Sequence, residues 1–283
     1  MTFSAQISST VARTSMGDIE YAEVGNGPAA LVSHGTGGGY DRGLFIASSL
    51  ATGDLRFLAV SRPGYLGTPL SVGKTPEQQA DAFAALLDSL NLAGAAFIGV
   101  SGGAPSVLQF ALRHPKRCWA LVLISGVTQA LPEWKPSLGD RLSRRLTENQ
   151  AIAAASNRIL QVFQPSASPE SRQRSWNPAV RFLEKLASYK ARRDGRDNDY
   201  QQLASLSDYD LSRVACPALI VHGTDDDEVP FRQAEFAART IPDAELLSVP
   251  GAGHGMLFRH PERVSISIVD FLNAHAGSTI SGH

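Results

Sequence analysis

Ser101 stands in Gly99-Val100-Ser101-Gly102-Gly103, between an apolar run, Ala95 to Val100, and a helix-like stretch, Ala104 to Arg113. A hydroxyl on a sharp strand-to-helix turn is presented for attack on an acyl carbon, and glycines two positions either side let strand and helix pack against it. The N–H of Gly102, at the start of the helix, lies where partial positive charge favours an oxyanion. A serine before a helix can equally be a plain N-cap. The chemistry therefore depends on a base to take the serine proton and an acid to fix that base's tautomer.

Two later loops supply both. His222-Gly223-Thr224-Asp225-Asp226-Asp227-Glu228-Val229-Pro230 follows the apolar run Ala218 to Val221, and Pro250-Gly251-Ala252-Gly253-His254-Gly255-Met256 follows Leu246 to Val249. Loops leaving the carboxyl ends of parallel strands share one edge of the sheet with Ser101. A third loop, His34-Gly35-Thr36-Gly37-Gly38-Gly39, follows Ala29 to Val32. It lacks the Lys-Ser/Thr pair that a phosphate loop requires, so its glycines read as room for close approach.

The elements that must carry these loops alternate. Ile19 to Val24 alternates polar and apolar and predicts an antiparallel edge strand. Ala29 to Val32, Phe57 to Val60, Ala95 to Val100 and Trp119 to Ile124 predict interior strands, uniformly apolar because both faces are covered. Thr75, Pro76 and Gln78 predict a capped helix start, with Ala80, Phe83, Ala84 and Leu87 as its apolar face. Further helices are predicted from Pro230 to Thr240 and from Pro261, the last with Val264, Ile268, Phe271 and Leu272 inward. This alternation predicts an α/β fold with a mostly parallel sheet and helices on both faces. From Leu131 to Asp208 no strand signal appears, and helical segments rich in Arg, Ser and Gln predict an inserted helical cap. The core is then residues 1–130 and 209–283, and the cap 131–208.

Of the 283 residues, 43% are hydrophobic and 19% charged, enough for one large domain that buries a cavity. A net charge of −1 and the lack of any nucleic-acid-binding motif argue against a nucleic-acid partner. No apolar stretch approaches the roughly 18 residues of a membrane span, and residues 1–18 show no basic-then-apolar signal pattern, so no membrane partner and a cytoplasmic location are expected. Cys118 and Cys216 are expected as free, buried thiols. No metal-ligand spacing such as CxxC or HExxH occurs. The expected cap holds 13 of the 26 basic residues against nine acids, an asymmetry that fits an anionic substrate or simply a solvated helical surface.

The order Ser, Asp, His, each after a strand, resembles the α/β-hydrolase fold superfamily, and the resemblance covers nearly the whole chain. It implies a triad of Ser101, Asp226 and His254. Loops of the form His-Gly-x-x-Asp-x-x-Val-Pro carry the acid at the fifth position, here Asp226, with Asp227 and then Asp225 as alternatives. The resemblance points to the N–H groups of Thr36 and Gly102 as the oxyanion hole, with Gly37 an alternative donor or a substrate contact. His34 and His222 are expected to order their loops; His114 and His260 are structural. Arg62-Pro63-Gly64 resembles a structural turn of the family, with Ser61 where Asp often stands.

The expected activity is hydrolysis of a small-molecule carboxylic ester through a covalent acyl-enzyme, without cofactor or metal, by a monomer or homodimer. Lactone hydrolysis and C–C bond hydrolysis use a similar triad. An acyltransferase, a perhydrolase or a non-catalytic ligand-binding member are further alternatives. The Ser nucleophile disfavours epoxide hydrolases and haloalkane dehalogenases, which use Asp. Trp134, Phe163 and Trp176 of the cap are expected to wall the acyl or alcohol site, or to be plain core.

Overall fold

A computed structural model of the chain describes residues 8–50, 55–132, 135, 138–148, 188–259 and 261–276. Eight strands form one sheet: β1 (Thr10–Thr14), β2 (Gly17–Val24), β3 (Ala29–Ser33), β4 (Arg56–Val60), β5 (Ala95–Val100), β6 (Cys118–Ile124), β7 (Ala218–Gly223) and β8 (Ala244–Val249), in the order β1-β2-β4-β3-β5-β6-β7-β8. β1, β2 and β4 pair antiparallel; every other pairing is parallel. β3, β6 and β7 are buried at every residue, as strands covered on both faces must be.

Two apolar layers flank the sheet. On one side α2 (Pro76–Ser89) and α3 (Ala104–Arg113) pack Phe83 and Phe110 around Phe97 of β5, whose ring stacks on Phe110 at 3.8 Å between centroids. On the other, α1 (Tyr40–Leu50) and the C-terminal helix Pro261–His275 bury Ile46, Leu50, Val264, Ile268 and Leu272 against β4, β6 and β7. The expected capping box is formed: Thr75 Oγ1 accepts the Gln78 N–H while Gln78 Oε1 accepts the Thr75 N–H. The helix after Pro230 begins at Arg232 (Arg232–Thr240), and β8 begins two residues earlier than its apolar run. The cysteines are free and buried, with their sulfurs 3.6 Å apart.

Two elements escape the sequence pattern. β1 is the true edge, so β2 is an interior antiparallel strand rather than the edge strand expected. β1 buries none of its residues and leaves Val11 51% exposed, so it has no apolar face to betray it. α1 packs Gly43 against Ala59 of β4, and a glycine inside a short helix breaks its apolar stripe.

The chain runs β3 to β4 on one side of β3, then returns to place β5 on the other. The β3 and β5 loops therefore leave the sheet side by side at a topological switch point, where open α/β sheets bind ligands. Between β6 and β7 the described residues include α4 (Leu138–Glu148) and α5 (Arg193–Ala204). α5 sits against the turn after β4: Gly195 N–H donates to the Gly64 carbonyl at 2.9 Å, and a Cβ on Gly195 would lie 2.3 Å from the Tyr65 ring. Only glycine permits that approach.

Candidate active site

Ser101 begins the turn between β5 and α3 at φ +50°, a left-handed conformation costly for a serine and held here by close packing on both sides. A Cβ on Gly99 would lie 2.4 Å from Val107, and one on Gly103 would lie 2.4 Å from the Ser33 carbonyl oxygen, the collisions that the pattern's spacing anticipates. The strained turn lifts the Ser101 hydroxyl to 3.0 Å from Nε2 of His254, which sits in the loop after β8.

His254 Nδ1 donates to Asp226, 2.8 Å from Oδ2 and 3.1 Å from Oδ1. With Nδ1 holding the proton, Nε2 is free to accept the serine proton. Asp226 is buried within the loop after β7, and its Oδ1 also accepts the backbone N–H groups of Glu228 at 3.0 Å and Val229 at 2.8 Å. His222, fully buried, places Nε2 2.8 Å from the Val229 carbonyl and 3.3 Å from Asp226 Oδ2. Two acceptors on Nε2 put that ring's proton there, so His222 braces the acid loop rather than acting as a base. Asp225 and Asp227 are exposed, and Asp225 takes the Thr224 hydroxyl at 2.9 Å. Of the three consecutive acids, Asp226 is the one brought to the imidazole.

Burial alone would raise the Asp226 pKa; the bonds from His222, His254 and Val229 overcome it and hold the carboxyl well below the ordinary carboxylate range. At His254, burial favours the neutral ring, but Asp226, with Glu228 and Asp227 further off, wins and raises its pKa above the ordinary 6.5.

The β3 loop passes directly under the serine. A Cβ on Gly35 would lie 3.1 Å from Ser101 Cβ, and one on Gly102 would lie 2.5 Å from Thr36 Oγ1 and 3.5 Å from Thr36 N. Thr36 and Gly102 thus face each other beside Ser101. Gly37 turns its N–H to the Tyr65 hydroxyl at 3.2 Å, and the residues lining the cavity pass from Thr36 to Gly38 without it. His34, fully buried, bonds the Gly35 carbonyl through Nδ1 and accepts the Arg62 N–H at Nε2, so it orders its loop, and burial followed by Arg62 holds its pKa well below 6.5.

A cavity of about 850 Å³ opens over Ser101, its lining including Thr36, Phe45, Ser125, Arg196, Tyr200 and His254. Phe45, Ser125, Arg196 and Tyr200 belong to no motif that the sequence displays. Ser125, at φ +46° after β6, is a strained non-glycine residue beside the site. Trp134, Phe163, Trp176 and His260 lie outside the described residues. Among the described residues no group of three or more His, Cys, Asp or Glu side chains is arranged to hold a metal ion, and no helix is long and apolar enough to cross a membrane.

The family model described as "Alpha/beta hydrolase family" matches residues 30–265, which span all three of these loops. The chain belongs to the alpha/beta hydrolase family. This hydrolase-family chain is 33% identical to a solved alpha/beta hydrolase fold protein from Nakamurella multipartita, covering 95% of this chain and 100% of that one with a TM-score of 0.73. It is 27% identical, over 90% of both chains, to a 2-hydroxy-6-oxononadienedioate/2-hydroxy-6-oxononatrienedioate hydrolase of Burkholderia vietnamiensis. It shares the fold of an esterase from Exiguobacterium antarcticum at 20% identity and a TM-score of 0.69, covering 94% of this chain and 100% of that one.

Proposed function

We propose that this protein is a serine hydrolase that cleaves carboxylic esters through a covalent acyl-enzyme. The carrying observation is the unbroken relay from Ser101 Oγ to His254 Nε2, 3.0 Å, and from His254 Nδ1 to Asp226 Oδ2, 2.8 Å. His254 takes the Ser101 proton as the oxygen attacks the ester carbonyl. Asp226 holds the tautomer and stabilises the imidazolium. The N–H groups of Gly102 and Thr36 receive the oxyanion, the imidazolium returns its proton to the departing alcohol, and water then enters by the same route to release the acid. Lys135, Arg196 and Tyr200, from the segment expected as a cap, line the cavity over Ser101. A chromogenic short-chain ester tests the reading: wild type turns it over, and Ser101→Ala loses about 10⁴-fold or more of kcat/KM. Equal turnover by wild type and Ser101→Ala, with the variant folded, defeats it.

A second reading is favoured by charge. Arg42, Lys135 and Arg196 line the cavity against Glu228 and an Asp41 already paired with Arg192 at 2.5 Å. A cavity with that balance suits a substrate bearing a carboxylate, and the Burkholderia relative is named as a hydrolase of an oxo-dienedioate, a dicarboxylate. The same serine relay would then act on a carbon–carbon bond next to a ketone. A panel pairing neutral esters with carboxylate-bearing esters and oxo-dienoic acids separates the two by which class gives the larger kcat/KM.

A further inference from the structure

Asp199 lies on α5, 163 residues from Thr36, and is 3% exposed. Its Oδ2 accepts the Thr36 hydroxyl at 2.7 Å, the Tyr65 hydroxyl at 2.6 Å and Arg62 Nη2 at 2.5 Å, and its Oδ1 accepts Arg62 Nη1 at 2.9 Å. Every partner is a donor, which suits a carboxylate, an acceptor at both oxygens. The donors in turn hold the β3 loop. Arg62 Nε donates to the His34 carbonyl at 2.8 Å, and the Tyr65 hydroxyl, having given its proton to Asp199, accepts the Gly37 N–H at 3.2 Å. Three handles on the loop, at His34, Thr36 and Gly37, therefore converge on one carboxylate.

The loop needs such handles. Its run of glycines has the largest backbone entropy of any sequence, while a hole for an oxyanion works only if its donors are fixed before the charge develops. From this we infer that Asp199 is a positioning residue for ester hydrolysis: it fixes the Thr36 N–H beside Ser101 and so couples the seating of α5 to stabilisation of the transition state. The inference rests on the serine-hydrolase function proposed for Ser101. Asn cannot replace Asp199, because its amide NH₂ would confront a donor. Thr36→Val exchanges the hydroxyl for a methyl, so the Thr36 N–H is still present but untethered while the buried Arg62–Asp199–Tyr65 set stays intact; Thr36→Ser keeps the hydroxyl and the bond.

Two readouts on the full chain separate positioning from plain stability. One is kcat and KM for p-nitrophenyl acetate. The other is the inhibition constant of an aryl trifluoromethyl ketone, whose adduct with Ser101 carries an oxyanion. A displacement on the order of 1 Å costs about 100-fold. Thr36→Val and Asp199→Asn are expected to lower kcat by about 10- to 100-fold and weaken the ketone by a similar factor. KM stays within about twofold, and Thr36→Ser recovers most of both losses. Folded Thr36→Val with wild-type kcat and ketone affinity overturns the inference, whether or not Asp199→Asn folds. If wild type neither hydrolyses the ester nor binds the ketone while Ser101→Ala behaves identically, the underlying function has failed and the inference with it. Where wild-type turnover does depend on Ser101, the Thr36 variants bear on Asp199 alone.

Discussion

Two buried carboxylates reach the Ser101 site, Asp226 through His254 and Asp199 through Thr36, and they are bonded in different ways. Asp226 faces two backbone N–H groups and two imidazoles, one of which, His254, is the base of the proposed hydrolysis. Asp199 faces two hydroxyls and a guanidinium 2% exposed, a cation that never loses its proton. The first carboxylate is tied to a titrating partner and works through changing charge. The second is tied to a permanent charge and works by holding still. A site of this kind needs both, because the proton relay moves while the oxyanion donors must not.

The largest effect that can break this contrast is on turnover at the titrating side. Asp226→Asn keeps the shape but can present an amide to His254 and favour the wrong tautomer, so kcat is expected to fall by about 10⁴-fold. Asp225→Asn and Asp227→Asn, both exposed, are expected to stay within about threefold of wild type. Steady-state kinetics on the three single variants decides it: a dead Asp227→Asn beside an active Asp226→Asn reverses the assignment of the acid.

Next in size is stability, where the order is expected to invert. Asn at 226 still offers one oxygen to the Glu228 and Val229 N–H groups, so its cost is about 1 kcal/mol. Asn at 199 leaves the Arg62 guanidinium short of its counter-charge inside the protein, and loss of one partner of a buried pair costs on the order of 3 kcal/mol or more. Denaturant melts of the two variants side by side measure the difference. Equal losses would mean that Arg62 finds other acceptors, and the division into a moving and a static carboxylate would not hold.

The two sides also differ in how far they are legible from residues. Ser101, Asp226 and His254 each follow an apolar strand, and glycine or proline marks each loop, so strand pattern and loop chemistry agree on where they meet. Only the choice among three consecutive aspartates needs the folded structure, since spacing by one residue in a loop does not say which side chain turns inward. Asp199 is hidden for a specific reason. α5 buries Gly195, Asn198, Asp199 and Leu203 at helical spacing, so its inward stripe holds one large apolar residue and the rest is mostly polar or charged. A search for apolar stripes finds a solvated surface there. Arg62 and Tyr65 are legible only as a turn, because nothing in Arg-Pro-Gly-Tyr announces a partner 137 residues on. β1 escapes by the same logic, having no buried face at all.

The smallest effect tests whether the titrating side is tuned from its surface. With His254 as base, kcat/KM rises with pH as the imidazolium loses its proton, along a limb lying above 6.5 because the ring's pKa is raised. Glu228 contributes to that rise: its Oε2 is 3.9 Å from His254 Nε2, but the side chain is 61% exposed, so water screens it. Glu228→Gln is expected to move the limb to lower pH by a few tenths of a unit at low salt. At about 0.5 M salt the difference between wild type and variant should shrink, since the Debye length is then roughly 4 Å, comparable to the separation of the two charges. Replacing Glu228 removes a charge that favours the imidazolium, so a limb that moves upward has the wrong sign. Such a result would show Glu228 acting through the loop that carries Asp226, whose Oδ1 accepts the Glu228 N–H, rather than through its charge.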